Sequence, residues 1–166
     1  MTVRLAEIAE RILGPLAGRP DAAWYRAPAG KWSPAQIVEH LAISMVGSAE
    51  LFERRRAHDP MTRRPRTLFE RVGGWFVMAV GFYPQGFRAP EGTIPAPNVT
   101  RGAAEAKFRA GLAHWEELPR LLLPARRYDL FVKHPRFGDL TVEEWMRFHV
   151  VHARHHEKQI HARLAG

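Results

Sequence analysis

The stretch that decides the fold is His149-Val150-Val151-His152-Ala153-Arg154-His155-His156. In a helix with about 3.6 residues per turn, His152 and His156 lie on one face with their Cβ atoms about 5–6 Å apart. Two imidazoles at this spacing can bind one metal ion, but a straight helix cannot easily bring a third histidine to that ion. A metal site therefore needs a ligand from another part of the fold, and the best candidate is His40.

The sequence before His40 predicts a well-defined helix start. Ser33 is the expected N-cap, Pro34 the first helical residue, and Gln36 the partner that closes a capping box. His40 then lies about two turns into the helix, at the border of its inward face. We expect its position to be firmly fixed.

A second capping box, formed by Thr141 and Glu144, predicts the start of the last helix. One face of this helix carries Trp145, His149, His152, His156, Gln159 and Arg163. The core face of a helix in a bundle is normally aliphatic, so this face meets something other than a hydrophobic layer. A buried histidine is most often a hydrogen-bonded core residue, but several together would each need a separate partner. We favour a metal site, with His155 and His161 left as surface residues.

The rest of the chain also has mainly helical periodicity. A first helix carries Leu5, Ile8, Ile12 and Leu16, and residues 19–32 form a connection. A third segment begins at Thr67, with the apolar period Leu68, Val72, Trp75, Phe76 and Ala79. Residues 83–100 are rich in proline and glycine and predict a surface loop that covers a pocket. A further helix is capped by Thr100 and disturbed near Pro119.

Composition limits the classes of protein. The 166 residues, 46% of them hydrophobic, fit one globular domain over 1–166, and the absence of cysteine excludes disulfides and thiolate metal sites. Acidic residues within the first ten positions argue against a signal peptide, and no apolar run reaches the ~20 residues of a membrane-spanning helix. We expect a cytoplasmic protein with no membrane partner.

The net charge of +8 is concentrated in one segment. Between Arg54 and Arg71 there are seven arginines against two acidic residues. Such a cluster could attract nucleic acid, an anionic membrane or an acidic partner. It contains no nucleic-acid-binding motif and no aromatic platform before Phe69, so we interpret it as a solvated helix end and loop, and we do not expect nucleic acid as a partner.

Two motifs together resemble the DinB-like superfamily of metal-dependent enzymes. They are Trp-Ser-Pro-Ala-Gln-Ile-Val-Glu-His-Leu at 32–41 and His-Ala-Arg-His-His-Glu-Lys-Gln-Ile at 152–160, the latter preceded by His134-Pro135-Arg136-Phe137-Gly138. The resemblance implies an all-α fold, a four-helix bundle with a long loop or extra helix inserted between the second and third core helices. It also implies a homodimer and a divalent metal ion held by His40, His152 and His156.

The resemblance implies either a hydrolase or a thiol-dependent S-transferase acting on a small molecule, with a low-molecular-weight thiol as one candidate. Zinc is the first expectation for the metal, with nickel or iron as alternatives, because imidazole nitrogens bind all three. Trp145, Ser44 and Ser48 are expected to line the pocket, and Gln159 or His149 to orient a ligand. Glu39 and Glu157 are expected to be surface acids, so no general base is assigned.

Two other functions remain open from the sequence. The first is a stress-associated metal-binding protein without catalysis that engages an anionic partner through its arginine cluster. The second is a metal-free dimeric bundle whose histidine face forms the interface.

Overall fold

The computed structural model describes residues 2–58, 62–81, 88–122 and 129–165. Within these residues the protein is an all-α bundle with one small hairpin. The helices are α1 (Thr2–Leu13), α2 (Asp21–Tyr25), α3 (Pro34–Arg56), α4 (Leu68–Trp75), α5 (Arg101–Leu121) and α6 (Val142–Leu164). The hairpin pairs β1 (Val132–His134) with β2 (Gly138–Leu140) in antiparallel register. The chain also forms 3₁₀ turns at Gly14–Leu16 and Glu91–Thr93, and Phe76–Val80 continues α4 as a π-helical turn.

The predicted helix starts are confirmed. Ser33, Thr67 and Thr141 each accept a hydrogen bond from the backbone three residues on, and the residue there returns a bond to the cap backbone. These reciprocal bonds satisfy N–H groups that a helix start would otherwise leave without partners. Thr100 caps α5 as predicted, and Pro119 lies within the last turn of that helix without ending it.

The four long helices α1, α3, α5 and α6 enclose the core, with α3 packed on α5 and α1 packed on α6. The approach of α5 to α3 is close at Gly111, where an added Cβ would lie 3.2 Å from the Cβ of Met45. Trp115 reinforces the same contact, because its indole N–H donates to the Met45 carbonyl at 2.9 Å. This close packing against α5 fixes the position of α3, the helix that carries His40.

The third helical segment begins after Thr67 as predicted. Its apolar period faces solvent, a direction that the sequence did not indicate. Leu68, Val72, Trp75 and Phe76 are exposed, whereas Gly74 and Val77 are buried. The helix therefore packs through its small residues and presents its large ones to solvent.

Two other local features were not predicted. Part of the connection at 19–32 forms α2, whose Trp24 is buried in the core. The segment before α6 forms the hairpin, and a positive φ of 71° at Gly138 explains why glycine occupies its turn. No helix in the described part of the chain combines the length and hydropathy needed to cross a membrane.

Candidate metal centre

The structure brings the three predicted histidines together. The Nε2 atom of His152 lies 3.1 Å from the Nε2 of His40 and 3.1 Å from the Nε2 of His156. The side chains come from two helices that are remote in sequence, since His40 is on α3 while His152 and His156 are one turn apart on α6. All three residues are buried, with 4–5% of their surface exposed.

The outer nitrogens of two of these rings have fixed partners. The Nδ1–H of His40 donates to the carbonyl oxygen of Thr93 at 2.7 Å, and the Nδ1–H of His156 donates to Oε1 of Gln159 at 3.0 Å. A neutral imidazole carries one ring hydrogen, so the Nε2 atoms of both rings present lone pairs to His152. This assigns to Gln159 the orienting role that the sequence suggested for it.

This arrangement fits a metal ion. Neutral His152 has a single ring hydrogen and can donate to at most one of the two Nε2 lone pairs that face it. A cation between the three nitrogens satisfies all of them at once. Two nitrogens bound to one zinc ion at about 2.0–2.1 Å in a tetrahedral site lie about 3.3–3.4 Å apart, close to the spacing of 3.1 Å seen here.

Burial also keeps the three imidazoles in the neutral form that binds metals. It lowers the pKa of His40, and it lowers the pKa of His152 and His156 well below the ordinary value, with a smaller contribution from the mutual repulsion of the neighbouring rings. A ligand that is already deprotonated at neutral pH binds a metal without competition from protons.

Hydrogen bonds from the loop after α4 fix the orientation of the His40 ring. Its 3₁₀ turn supplies the Thr93 carbonyl, and the backbone N–H of Ala96 donates to a Glu39 carboxylate oxygen at 2.8 Å. The other Glu39 oxygen binds Nζ of Lys107 on α5 at 2.9 Å. The prediction that Glu39 is a surface acid is therefore wrong, because this residue is 6% exposed and joins the loop to two helices.

Aromatic rings line the three histidines. The Trp32 ring lies 4.8 Å from the ring of His40, and the Phe148 ring stacks on His152 at 5.0 Å between centroids. Within the described residues no carboxylate oxygen belongs to the cluster of potential ligands. Glu157, the acid next to His156 in sequence, instead pairs with Arg11 of α1 at 2.7 Å. Among the described residues, the neighbours of the cluster are thus aromatic rings, His155 and Gln159, and no carboxylate is grouped with the three nitrogens.

A neighbouring buried group contains residues that the sequence placed in the pocket. The Ser48 hydroxyl lies within hydrogen-bonding distance of the Ser44 and Met45 carbonyls, so its oxygen accepts the Nε2–H of His149 at 3.0 Å. Trp145 donates to the Val132 carbonyl. In their described contacts these side chains bind one another and the backbone, and they do not touch the three-histidine cluster through hydrogen bonds.

Sequence reasoning missed two other features of the site. His155 is half-buried, and its Nε2 accepts a hydrogen bond from the Gln159 amide, so it is not the surface residue that was expected. The Thr93 carbonyl had no sequence signal, since any residue at that loop position offers the same backbone oxygen. The exposed position of His161 agrees with the prediction.

Much of the arginine cluster is occupied by contacts within the protein. Arg63 and Arg66 both donate to the Asp139 carbonyl and to the Glu144 carboxylate. Arg64 pairs with the Asp139 carboxylate, and this contact lowers the pKa of Asp139. These bonds hold the segment before α4 against the hairpin and the start of α6.

Comparison with known proteins supports the resemblance seen in the motifs. A family model described as the DinB superfamily matches residues 4–160, which include all three histidines of the cluster. No match was found among curated proteins or among solved structures.

Proposed function

The chain belongs to the DinB superfamily, and from this premise we propose that it is a metal-dependent enzyme whose divalent ion is held by His40, His152 and His156. The observation that carries the proposal is the convergence of three buried Nε2 atoms, two of which are fixed as lone-pair donors by their outer hydrogen bonds. Zinc is the proposed ion, and nickel or iron would suit the same nitrogens.

A divalent ion held by three neutral imidazoles has an open position, acts as a Lewis acid and lowers the pKa of water or of a thiol that reaches it. The protein's own residues would orient the ligands through Thr93 and Gln159 and restrict water through Trp32 and Phe148. The substrate is proposed to be a small molecule.

The surroundings of the histidines favour thiol-dependent S-transfer over hydrolysis. A carboxylate base beside the metal would support hydrolysis, and the described ligand cluster contains no carboxylate. A low-molecular-weight thiol that arrives as a thiolate can attack an electrophile without such a base. We therefore propose S-transfer as the first reaction to test, with hydrolysis as the second.

The non-catalytic alternative has less support. It assigns the arginine cluster to an anionic partner, but Arg63, Arg64 and Arg66 already bind Asp139 and Glu144. A cytoplasmic location and a homodimer stay proposals, and sedimentation of the purified protein would test the second of them.

Metal analysis of protein purified without an affinity tag tests the ligand set. We expect one equivalent of metal in the wild type and in His161→Ala, an exposed histidine on the same helix, and none in His152→Ala. Equal metal content in all three proteins would reject the proposed ligands.

A thiol titration of the cobalt-loaded protein tests the reaction class. Direct binding of a thiolate to cobalt would produce a sulfur-to-cobalt charge-transfer band, which we expect for cysteine or glutathione. A protein that binds cobalt but gives no such band at saturating thiol would contradict S-transfer and leave hydrolysis as the proposal.

A further inference from the structure

Three side chains on α6 form a chain of hydrogen bonds that leads away from the metal centre. His156 donates from Nδ1 to Oε1 of Gln159 at 3.0 Å, and the amide nitrogen of Gln159 lies 3.0 Å from Nε2 of His155. The spacing of the three residues explains this arrangement, because side chains three and four positions apart meet on the surface of a helix. A single amide group therefore bridges a proposed metal ligand and a second histidine.

His155 lies beside the ligand cluster without belonging to it. Its ring is half-buried, and its centroid is 5.1 Å from that of His156, with the two ring planes nearly perpendicular at 85°. Within the described residues the group of nitrogens that could hold an ion contains His40, His152 and His156 alone. The hydrogen bond to Gln159 is thus what connects His155 to the metal centre.

The Gln159 amide can turn either its oxygen or its nitrogen towards His156. With the oxygen on that side, it accepts the Nδ1–H, and the Nε2 atom of His156 presents a lone pair to the centre of the cluster. With the nitrogen on that side, the amide N–H would donate to Nδ1, so the ring hydrogen of His156 would lie on Nε2. Only the first orientation leaves Nε2 able to bind a metal ion.

The two amide orientations make opposite demands on His155. In the first orientation the amide N–H points at Nε2 of His155, which accepts it with a lone pair. In the second orientation the amide oxygen would face the same atom and would need an N–H from it. An acceptor at this position therefore selects the orientation of Gln159, and Gln159 in turn selects the ring nitrogen of His156 that carries the hydrogen.

We propose that His155 is a positioning residue of the metal centre, which holds the Gln159 amide in the orientation that keeps His156 able to bind the ion. The inference rests on the metal centre proposed above and extends it to a residue outside the ligand set. Partners that bind the outer nitrogen of a ligating histidine fix its hydrogen and its orientation, and their loss typically reduces metal affinity by about 10–100-fold.

Zinc affinity at pH 8, where an imidazole of ordinary pKa is neutral, tests the proposal. His155→Phe keeps a ring but removes the acceptor, so we expect zinc to bind about 20-fold more weakly than to the wild type. His161→Phe is the matched control, because His161 is an exposed histidine on the same helix and outside the ligand cluster. The control should bind zinc as tightly as the wild type. Competition with a chromophoric chelator measures all three affinities.

The Gln159→Glu background separates positioning from a purely structural role of His155. Both oxygens of a carboxylate accept hydrogen bonds, so the introduced group binds the Nδ1–H of His156 whichever way it is turned. We therefore expect His155→Phe to change zinc affinity by less than about twofold in this background. A loss of packing at position 155 would instead reduce the affinity by the same factor with either residue at 159.

Nitrogen NMR of the metal-free protein provides a readout that does not depend on zinc. Proton–nitrogen correlation spectra of histidine-labelled protein distinguish a ring nitrogen that carries a hydrogen from one that does not. We expect the hydrogen of His156 on Nδ1 in the wild type and in His161→Phe, and a mixture of both forms in His155→Phe. The His156 signals are assigned by their absence from His156→Ala, and circular dichroism checks that each variant is folded.

Three results would overturn the proposal. They are wild-type zinc affinity in His155→Phe, equal losses of affinity from this substitution in both backgrounds, and an unchanged hydrogen position on His156 in His155→Phe. Each of them would leave the ligand set itself in place. A wild-type protein that binds no zinc would instead reject the metal centre, and the NMR measurement would still decide whether His155 sets the hydrogen of His156.

Discussion

Two groups of buried histidines lie side by side in this protein, and only one of them has the geometry of a metal site. His40, His152 and His156 point Nε2 atoms at one another, whereas His149 and His134 each bind a group that is not a histidine. Burial lowers the pKa in both groups, to about 3 for His134 and His149. A low pKa therefore reports mainly burial, and convergence of nitrogen lone pairs distinguishes the candidate metal site.

The largest expected effect that separates the two groups is on stability. His149→Ala removes a buried ring that packs between Trp115 and Trp145 and binds Ser48. We expect the free energy of unfolding to fall by about 2–4 kcal/mol, because a cavity forms and the Ser48 hydroxyl loses its donor. Urea denaturation measures this change.

Metal content is the control for that variant. His149→Ala should keep one equivalent of metal, because no hydrogen bond joins His149 to the three-histidine cluster in the described contacts. Loss of metal together with retained stability would show that the boundary between the two groups is drawn in the wrong place.

The second effect is a dependence of stability on pH that originates in His134. Its Nδ1 accepts the Arg136 backbone N–H, and burial followed by the charge of Arg136 lowers its pKa from 6.5 to about 3. The unfolded chain binds a proton at this residue below about pH 6.5 while the folded chain does not. The contribution of His134 to the free energy of unfolding is therefore fully present above pH 6.5, and it is lost as the pH falls towards 3.

Denaturation midpoints of the metal-free protein at pH 7 and pH 5 measure this contribution. From His134 alone we expect a loss of about 2 kcal/mol between the two values. His134→Gln, which cannot titrate, should show a correspondingly smaller loss. Identical pH dependence in the two proteins would contradict a neutral buried imidazole at this position.

The difference between the two histidine groups also explains how much of the site the sequence could predict. The i,i+4 spacing of His152 and His156 and the capping box before His40 are local features, and they place three side chains without knowledge of the packing. The contacts of Ser48 with His149 and of Trp145 with the Val132 carbonyl were not predicted, because a helical face does not specify which neighbour covers each of its residues. That information lies in the crossing of α3, α5 and α6.

The direction in which the apolar side of α4 faces could not be predicted, for a related reason. Apolar periodicity in residues 68–79 correctly indicated a helix, but periodicity does not state whether the apolar side faces the core. The contact that orients the helix is made by Gly73 and Gly74 with Phe137, in a hairpin far along the chain. Glycines in a helix are normally interpreted as weak points, and here they form the packing surface.

The smallest predicted effect concerns how the loop after α4 supports the metal site. Glu39→Gln preserves the shape of the side chain but removes the charge that binds Lys107, so the turn that supplies the Thr93 carbonyl is held less firmly. Outer partners of metal ligands contribute about 10–100-fold to affinity, and a partner one step further out should lie at the low end. We expect zinc affinity to fall about tenfold, measured by competition with a chromophoric chelator.

Glu157→Gln is the matched control, because Glu157 is the acid beside His156 and pairs only with Arg11 in its described ion pairs. Equal losses in both variants would indicate a general effect of charge near the site and would reject the specific role of the loop.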